Sequence, residues 1–90
     1  MLSSLATKAG LHHLRDRDGA EVDVVIEGAD GRVVGIEVKA SAAVTVADFR
    51  WLAWLRDKLG DRFVAGIVLY AGERPLAFGD RLSAVPLSAL

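Results

Sequence analysis

The 90-residue chain contains no cysteine, which excludes disulfides and thiolate metal sites. No apolar run approaches the length of a transmembrane helix, and residues 1–10 lack the apolar core of a signal peptide. The expectation is a cytoplasmic domain with no membrane partner. An excess of one charge is lacking too: 11 Lys and Arg stand against 12 Asp and Glu, a net charge of −1. That is poor evidence for broad nucleic-acid binding, where a basic domain is expected, so any DNA contact needs local clustering of arginines. There is no glycine-rich phosphate loop, no Ser-His-Asp arrangement and no zinc spacing. No repeat, linker or low-complexity segment divides the sequence, so residues 1–90 read as one small domain. A chain this short buries only roughly 60–65% of its unfolded surface, so its stability is modest and a partner would add to it.

What the sequence does have is concentrated between Glu21 and Lys39, EVDVVIEGADGRVVGIEVK. Two alternating, β-branched runs flank a turn, which is the pattern of paired strands. Side chains two apart share a face, so Glu21 and Asp23 point one way, and so do Glu37 and Lys39. Val22, Val24, Ile26, Ile36 and Val38 then form the opposite face, expected to be the core face. Ala29-Asp30-Gly31 fits a three-residue hairpin loop with Gly31 in the left-handed conformation. Gly28 then pairs with Arg32, Asp23 lies opposite Glu37, and Glu21 opposite Lys39. A loop one residue longer or shorter would flip one strand and separate the carboxylates.

Two carboxylates held side by side repel unless a cation lies between them. Oxygen ligands select hard ions, Mg²⁺ first. A lysine beside such an ion can orient a water or stabilise developing negative charge. An exposed hairpin with Glu21–Lys39 and Asp23–Lys39 ion pairs accounts for the same residues, and such pairs contribute little.

The first strand is Leu11-His12-His13-Leu14-Arg15, reached through a second three-residue turn at Arg17-Asp18-Gly19. In that register Leu14 joins the core face and His13 faces Asp23. Adjacent strand residues point to opposite faces, so His12 and His13 cannot both reach one ion. Residues 1–10 carry Leu2, Leu5 and Ala9 at the spacing of a short helix. Residues 11–39 thus form a three-stranded meander. Thr45 and Asp48 form a capping pattern for a helix over 45–59, which stops at Gly60. Trp51, Leu52, Leu55 and Leu59 make its apolar stripe, with Phe49 at the margin and Arg50 and Trp54 away from it. Residues 62–90 hold the C-terminal strands. Phe63 to Tyr70, FVAGIVLY, reads as a central strand buried on both faces, parallel to the Glu37–Lys39 strand through a βαβ crossover. Short strands follow at Leu76-Ala77-Phe78 and Leu82 to Val85, and Leu87 to Leu90 begins a helix. The fold class is α/β (α+β), with a small mixed sheet.

Hairpin, third strand, helix, strand, with Asp23 on the second strand and Glu37-x-Lys39 on the third, resembles the core of the PD-(D/E)xK nuclease superfamily. The string RDRDGAEVDVVIE…GRVVGIEVKAS, a helix, GIVLYAGE and FGDRLSAVPLSAL is similar to the C-terminal domain of unknown function of a family of prokaryotic AAA+-type ATPases. The resemblance implies a restriction-endonuclease-like core, N-terminally truncated. It implies Asp23 and Glu37 as Mg²⁺ ligands, Lys39 as activator of the attacking water, and DNA as substrate. No acid precedes Asp16, where active members carry one on a helix, and Glu21 shares the face from which it could replace that acid. No Walker A motif is present, so the chain resembles the tail of such an ATPase. A non-catalytic module docking on the ATPase or on a twin chain, and a DNA binder using Arg15, Arg17 and Lys39, are the other functions this sequence fits.

Overall fold

The computed structural model describes residues 10–17 and 19–89. The helix expected over 1–10 lies outside them, except that Gly10 begins a strand. In order come β1 (Gly10–Arg15), β2 (Glu21–Glu27), β3 (Val33–Val38), a 3₁₀ turn (Val46–Phe49) leading into α1 (Arg50–Leu59), a second 3₁₀ turn (Gly60–Arg62), β4 (Phe63–Tyr70), β5 (Leu76–Gly79) and β6 (Leu82–Pro86). A last 3₁₀ turn, Leu87–Ala89, stands where a helix was expected to begin. The strands form one six-stranded sheet in the order β1-β2-β3-β4-β6-β5. β3 and β6 flank β4 in parallel, and the other pairs are antiparallel. The result is a small mixed α+β domain. Among the described residues no helix is long and apolar enough to cross a membrane.

Both hairpin loops have the three residues that their glycines call for. Asp16 N–H donates to Ala20 O at 2.8 Å, and Gly28 N–H to Arg32 O at 2.8 Å. Gly19 and Gly31 close the loops at φ 97° and 85°, a region where a Cβ would clash. The β2–β3 register follows: Glu27 pairs with Val33 and Val24 with Ile36.

The helix begins where Thr45 N–H donates to the Asp48 carboxylate at 2.8 Å. It ends at Gly60, whose φ is 59° and whose N–H bonds Arg56 O. Phe49, Leu52 and Leu55 are its buried residues. Phe49, expected at the margin, lies one turn before Leu52 and stacks on Phe78 at 4.7 Å, so it belongs to the stripe. Trp54, expected to point away, packs against the core as Trp51 does and meets it edge-on at 6.4 Å. Past the helix, Arg81 holds the chain's exit to β4: its guanidinium donates to Gly60 O at 3.0 Å and Phe63 O at 2.6 Å.

The core face differs from the expected one. A Cβ on Gly35 would sit 2.8 Å from Leu52 Cδ2, so Gly35 faces α1, and alternation puts Val33 and Glu37 on the same side. Gly66 of β4 faces the helix too: a Cβ there would sit 3.1 Å from Leu52 Cβ. Val24, Ile26, Ile36 and Val38 therefore lie on the side away from α1, half-buried or exposed, and not in the core. Val22 and Val25 are both buried, although they are three apart. A β-bulge explains this: between the pairs His12–Val25 and Leu14–Val22, β2 carries Asp23 and Val24 opposite the single residue His13. β4 is likewise buried on one face only, by Gly66, Val68 and Tyr70, while Ala65, Ile67 and Leu69 are half-buried.

Leu55→Ala should lower the unfolding free energy by about 2–5 kcal/mol in urea denaturation, since it leaves a cavity between helix and sheet. Arg50→Ala, at an exposed position, should change it by no more than about 0.5 kcal/mol. Equal losses would mean that α1 buries a different face.

Candidate functional site

Beyond the Val24–Ile36 pair, acids take over from the ladder. Asp23 N–H donates to Glu37 Oε1 at 2.9 Å. Val38 N–H donates to Asp23 Oδ2 at 2.9 Å. Each carboxylate thus accepts from the other's strand, where a backbone carbonyl would normally do so. Asp23 and Glu37 are tied by backbone N–H groups that donate to their carboxylates.

The bulge also sets Asp23 beside β1. His13 Nδ1 lies 3.2 Å from Asp23 O, and His13 Nε2 lies 3.6 Å from Glu21 Oε1. Ligand atoms of His13, Glu21 and Asp23 all fall within 4.8 Å of one another. Among the described residues these side chains could together hold one ion, and Glu37 stands next to them through the Asp23 N–H. Lys39 does not join the group. Its Nζ lies 2.6 Å from Asp48 Oδ2 at the start of the helical segment. Glu21 pairs with Arg15, at 3.7 Å. The Glu21–Lys39 and Asp23–Lys39 ion pairs that an exposed hairpin would form are thus replaced by Glu21–Arg15 and Lys39–Asp48.

His13 is foreseeable from the register of the first hairpin, which puts it opposite Asp23. Asp48 is not. Its sequence signal is that of a helix cap, and only the path of residues 40–44 brings it to Lys39.

The electrostatics follow from these positions. Burial raises the Glu37 carboxyl above its ordinary 4.5, the Asp23 N–H opposes the rise, and the charges of Asp23 and Glu21 add to it. The Asp48 carboxyl is lowered from 3.8, first by the Lys39 hydrogen bond and then by the Thr45 N–H. An arrangement of two exposed-to-half-buried acids, an imidazole and a third acid that resists ionisation is suited to a divalent cation, whose charge relieves the repulsion.

The tryptophans that could have served as stacking platforms already carry cations of their own helix. Arg50 lies 5.0 Å from the Trp51 ring centre and Lys58 5.2 Å from that of Trp54.

The family model described as "Domain of unknown function (DUF4143)" matches residues 2–90. No curated protein and no solved structure matches the chain.

Glu37 gives a pH prediction. Its folded-state pKa is raised, so the folded state holds that proton more tightly than the unfolded state does. Its ionisation then removes stability as pH climbs from 4.5 through the folded value. Glu37→Gln keeps an acceptor for Asp23 N–H and abolishes that loss. Metal-free Glu37→Gln should therefore unfold at an equal or higher midpoint than wild type at neutral pH, the gap closing on acidification. Asp48 is depressed, so Asp48→Asn should lower the midpoint at neutral pH, with the difference fading as pH falls from 3.8 through the folded value. Thermal unfolding across a pH series measures both.

Proposed function

The chain belongs to the DUF4143 family, and on that premise we propose that it is a PD-(D/E)xK nuclease-like domain for Mg²⁺-dependent hydrolysis of DNA phosphodiesters. The observation that carries this reading is the cross-strand tie of Asp23 and Glu37, with Lys39 two residues further on. In this reading Asp23 and Glu37 hold Mg²⁺ and Glu21 completes the acid set. When bound, Mg²⁺ supplies Lewis-acid stabilisation of the phosphoryl oxygens. The chain's own part is to place the ion and to offer Lys39 to the attacking water or the developing charge. Lys39 is engaged by Asp48, so the reading requires its ammonium to exchange that partner for substrate. Both side chains are partly accessible, at 32% and 24%, which leaves room for the exchange. Such a domain works in the cytoplasm, as the C-terminal part of an AAA+-type ATPase.

A second reading is a non-catalytic module docking on such an ATPase or on a twin chain. It is supported by the sheet face away from α1, where Ile36, Ile67 and Leu69 are half-buried and Val38 is 54% exposed.

Asp23→Asn separates the two. If Mg²⁺ binds, the substitution abolishes stabilisation by the added ion, while in the metal-free fold relief of repulsion offsets the weakened Val38 N–H bond. In wild type that stabilisation is roughly 1.4 kcal/mol at ten times Kd. If the domain only docks, Mg²⁺ shifts neither melting curve, and Asp23→Asn shows only the loss from a weakened Val38 N–H bond. Thermal melts of both proteins, with and without Mg²⁺, decide between them.

A further inference from the structure

His13 has a role that the Mg²⁺ reading does not use. A backbone carbonyl can only accept a hydrogen bond, so the 3.2 Å contact with Asp23 O makes His13 Nδ1 the donor. In the neutral ring that leaves the lone pair on Nε2. Nε2 faces Glu21 Oε1 at 3.6 Å, and one ring nitrogen of His13, one Glu21 carboxylate oxygen and one Asp23 carboxylate oxygen lie within 4.8 Å of one another. Three lone-pair donors thus lie close together, where one cation can bridge them. A ligating histidine whose other ring nitrogen donates to a backbone carbonyl is the arrangement that fixes the tautomer and aims the ring at a metal. The bulge at Asp23 and Val24 builds it, by setting both residues opposite His13.

We infer that His13 Nε2, Glu21 and Asp23 form a site for a first-row transition ion such as Zn²⁺ or Co²⁺, which they hold in preference to Mg²⁺. Imidazole is a good ligand for these ions and a poor one for Mg²⁺, which demands oxygen and keeps its waters. The inference deepens the metal reading of the same hairpin, sharing Asp23 with it, but rests on His13 and Glu21 rather than on Glu37 and Lys39. Arg15 competes for Glu21 at 3.7 Å and must yield to the ion. Its side chain is 73% exposed, so it can swing into solvent. His12 takes no part, because it pairs with Val25, one residue away on the alternating strand.

The test is calorimetric titration of Zn²⁺, Co²⁺ and Mg²⁺ into the wild-type chain and into His13→Gln, His12→Gln, Arg15→Gln and Glu37→Gln, with melting of each metal-free variant to confirm folding. Wild type should bind Zn²⁺ more tightly than Mg²⁺. His13→Gln should weaken Zn²⁺ and Co²⁺ at least roughly tenfold, since loss of even a residue behind a ligand costs about 10–100-fold. Mg²⁺ binding should be unchanged in that variant. His12→Gln should leave Zn²⁺ binding as it is, and Arg15→Gln should tighten it. Zn²⁺ binding that is equal in wild type and His13→Gln, or no tighter than Mg²⁺ binding in wild type, overturns the inference. Failure of the Mg²⁺ reading shows itself separately, as absence of Mg²⁺ binding in wild type or its insensitivity to Glu37→Gln.

Discussion

Leu52 has bare backbone beneath it. Gly35 and Gly66 are paired residues of adjacent parallel strands, and both turn their missing side chains toward α1. Any Cβ there would press on Leu52 or its neighbours, so only this glycine pair lets the helix settle onto the sheet. Phe49, Leu55, Val22 and Phe63 then close around Leu52 as one buried cluster. The seat also fixes where the helix begins, and hence where Asp48 sits. Lys39 lies at the end of the strand that Gly35 belongs to, so the Lys39–Asp48 bond is a consequence of the same close approach. The position of the one cationic residue of the proposed site is thus set from the core outward.

At the same end of β3, along its edge with β2, the acids act as extensions of the sheet. A regular antiparallel pair would continue with carbonyl acceptors, but here two carboxylates accept the N–H groups of Asp23 and Val38. Backbone donors hold the carboxylates close and leave each with a second oxygen. They also keep negative charge in a half-buried place, where burial works against Glu37. Electrostatic strain of that kind is tolerable at the end of a ladder, where the strands are free to part, and a cation is the natural way to relieve it.

The turns, the register and the helix limits were legible because glycines and a capping pair mark them locally. Gly19, Gly31 and Gly60 each stop or reverse the chain where the sequence says they do. The choice of core face was not legible. Val24, Ile26, Ile36 and Val38 are as apolar as Val22, Val25 and Val33, so alternation defines two faces without saying which the helix covers. Glycine at position 35 was the clue, since a strand residue without a side chain marks a close approach. The bulge that brings Val22 and Val25 to one side has no mark in the local sequence either. It follows from fitting β1 against β2. For the site, Asp23, Glu37 and Glu21 were legible as acids on paired strands and His13 as their cross-strand neighbour. The partner of Lys39 was not, because it depends on a loop whose path small residues leave unspecified.

The sheet face away from α1 has a thermodynamic consequence. Unfolding raises the heat capacity in proportion to the apolar surface newly hydrated, about 12–15 cal/mol/K per residue in an ordinary globular domain. Here Ile36, Ile67, Leu69 and Val85 are already partly hydrated in the folded state. Less apolar surface remains to be wetted, so the heat-capacity increment per residue falls below that of a domain with two covered faces. Stability then varies with temperature along a flatter and broader curve, and cold weakens the fold less steeply than it would a fully enclosed sheet.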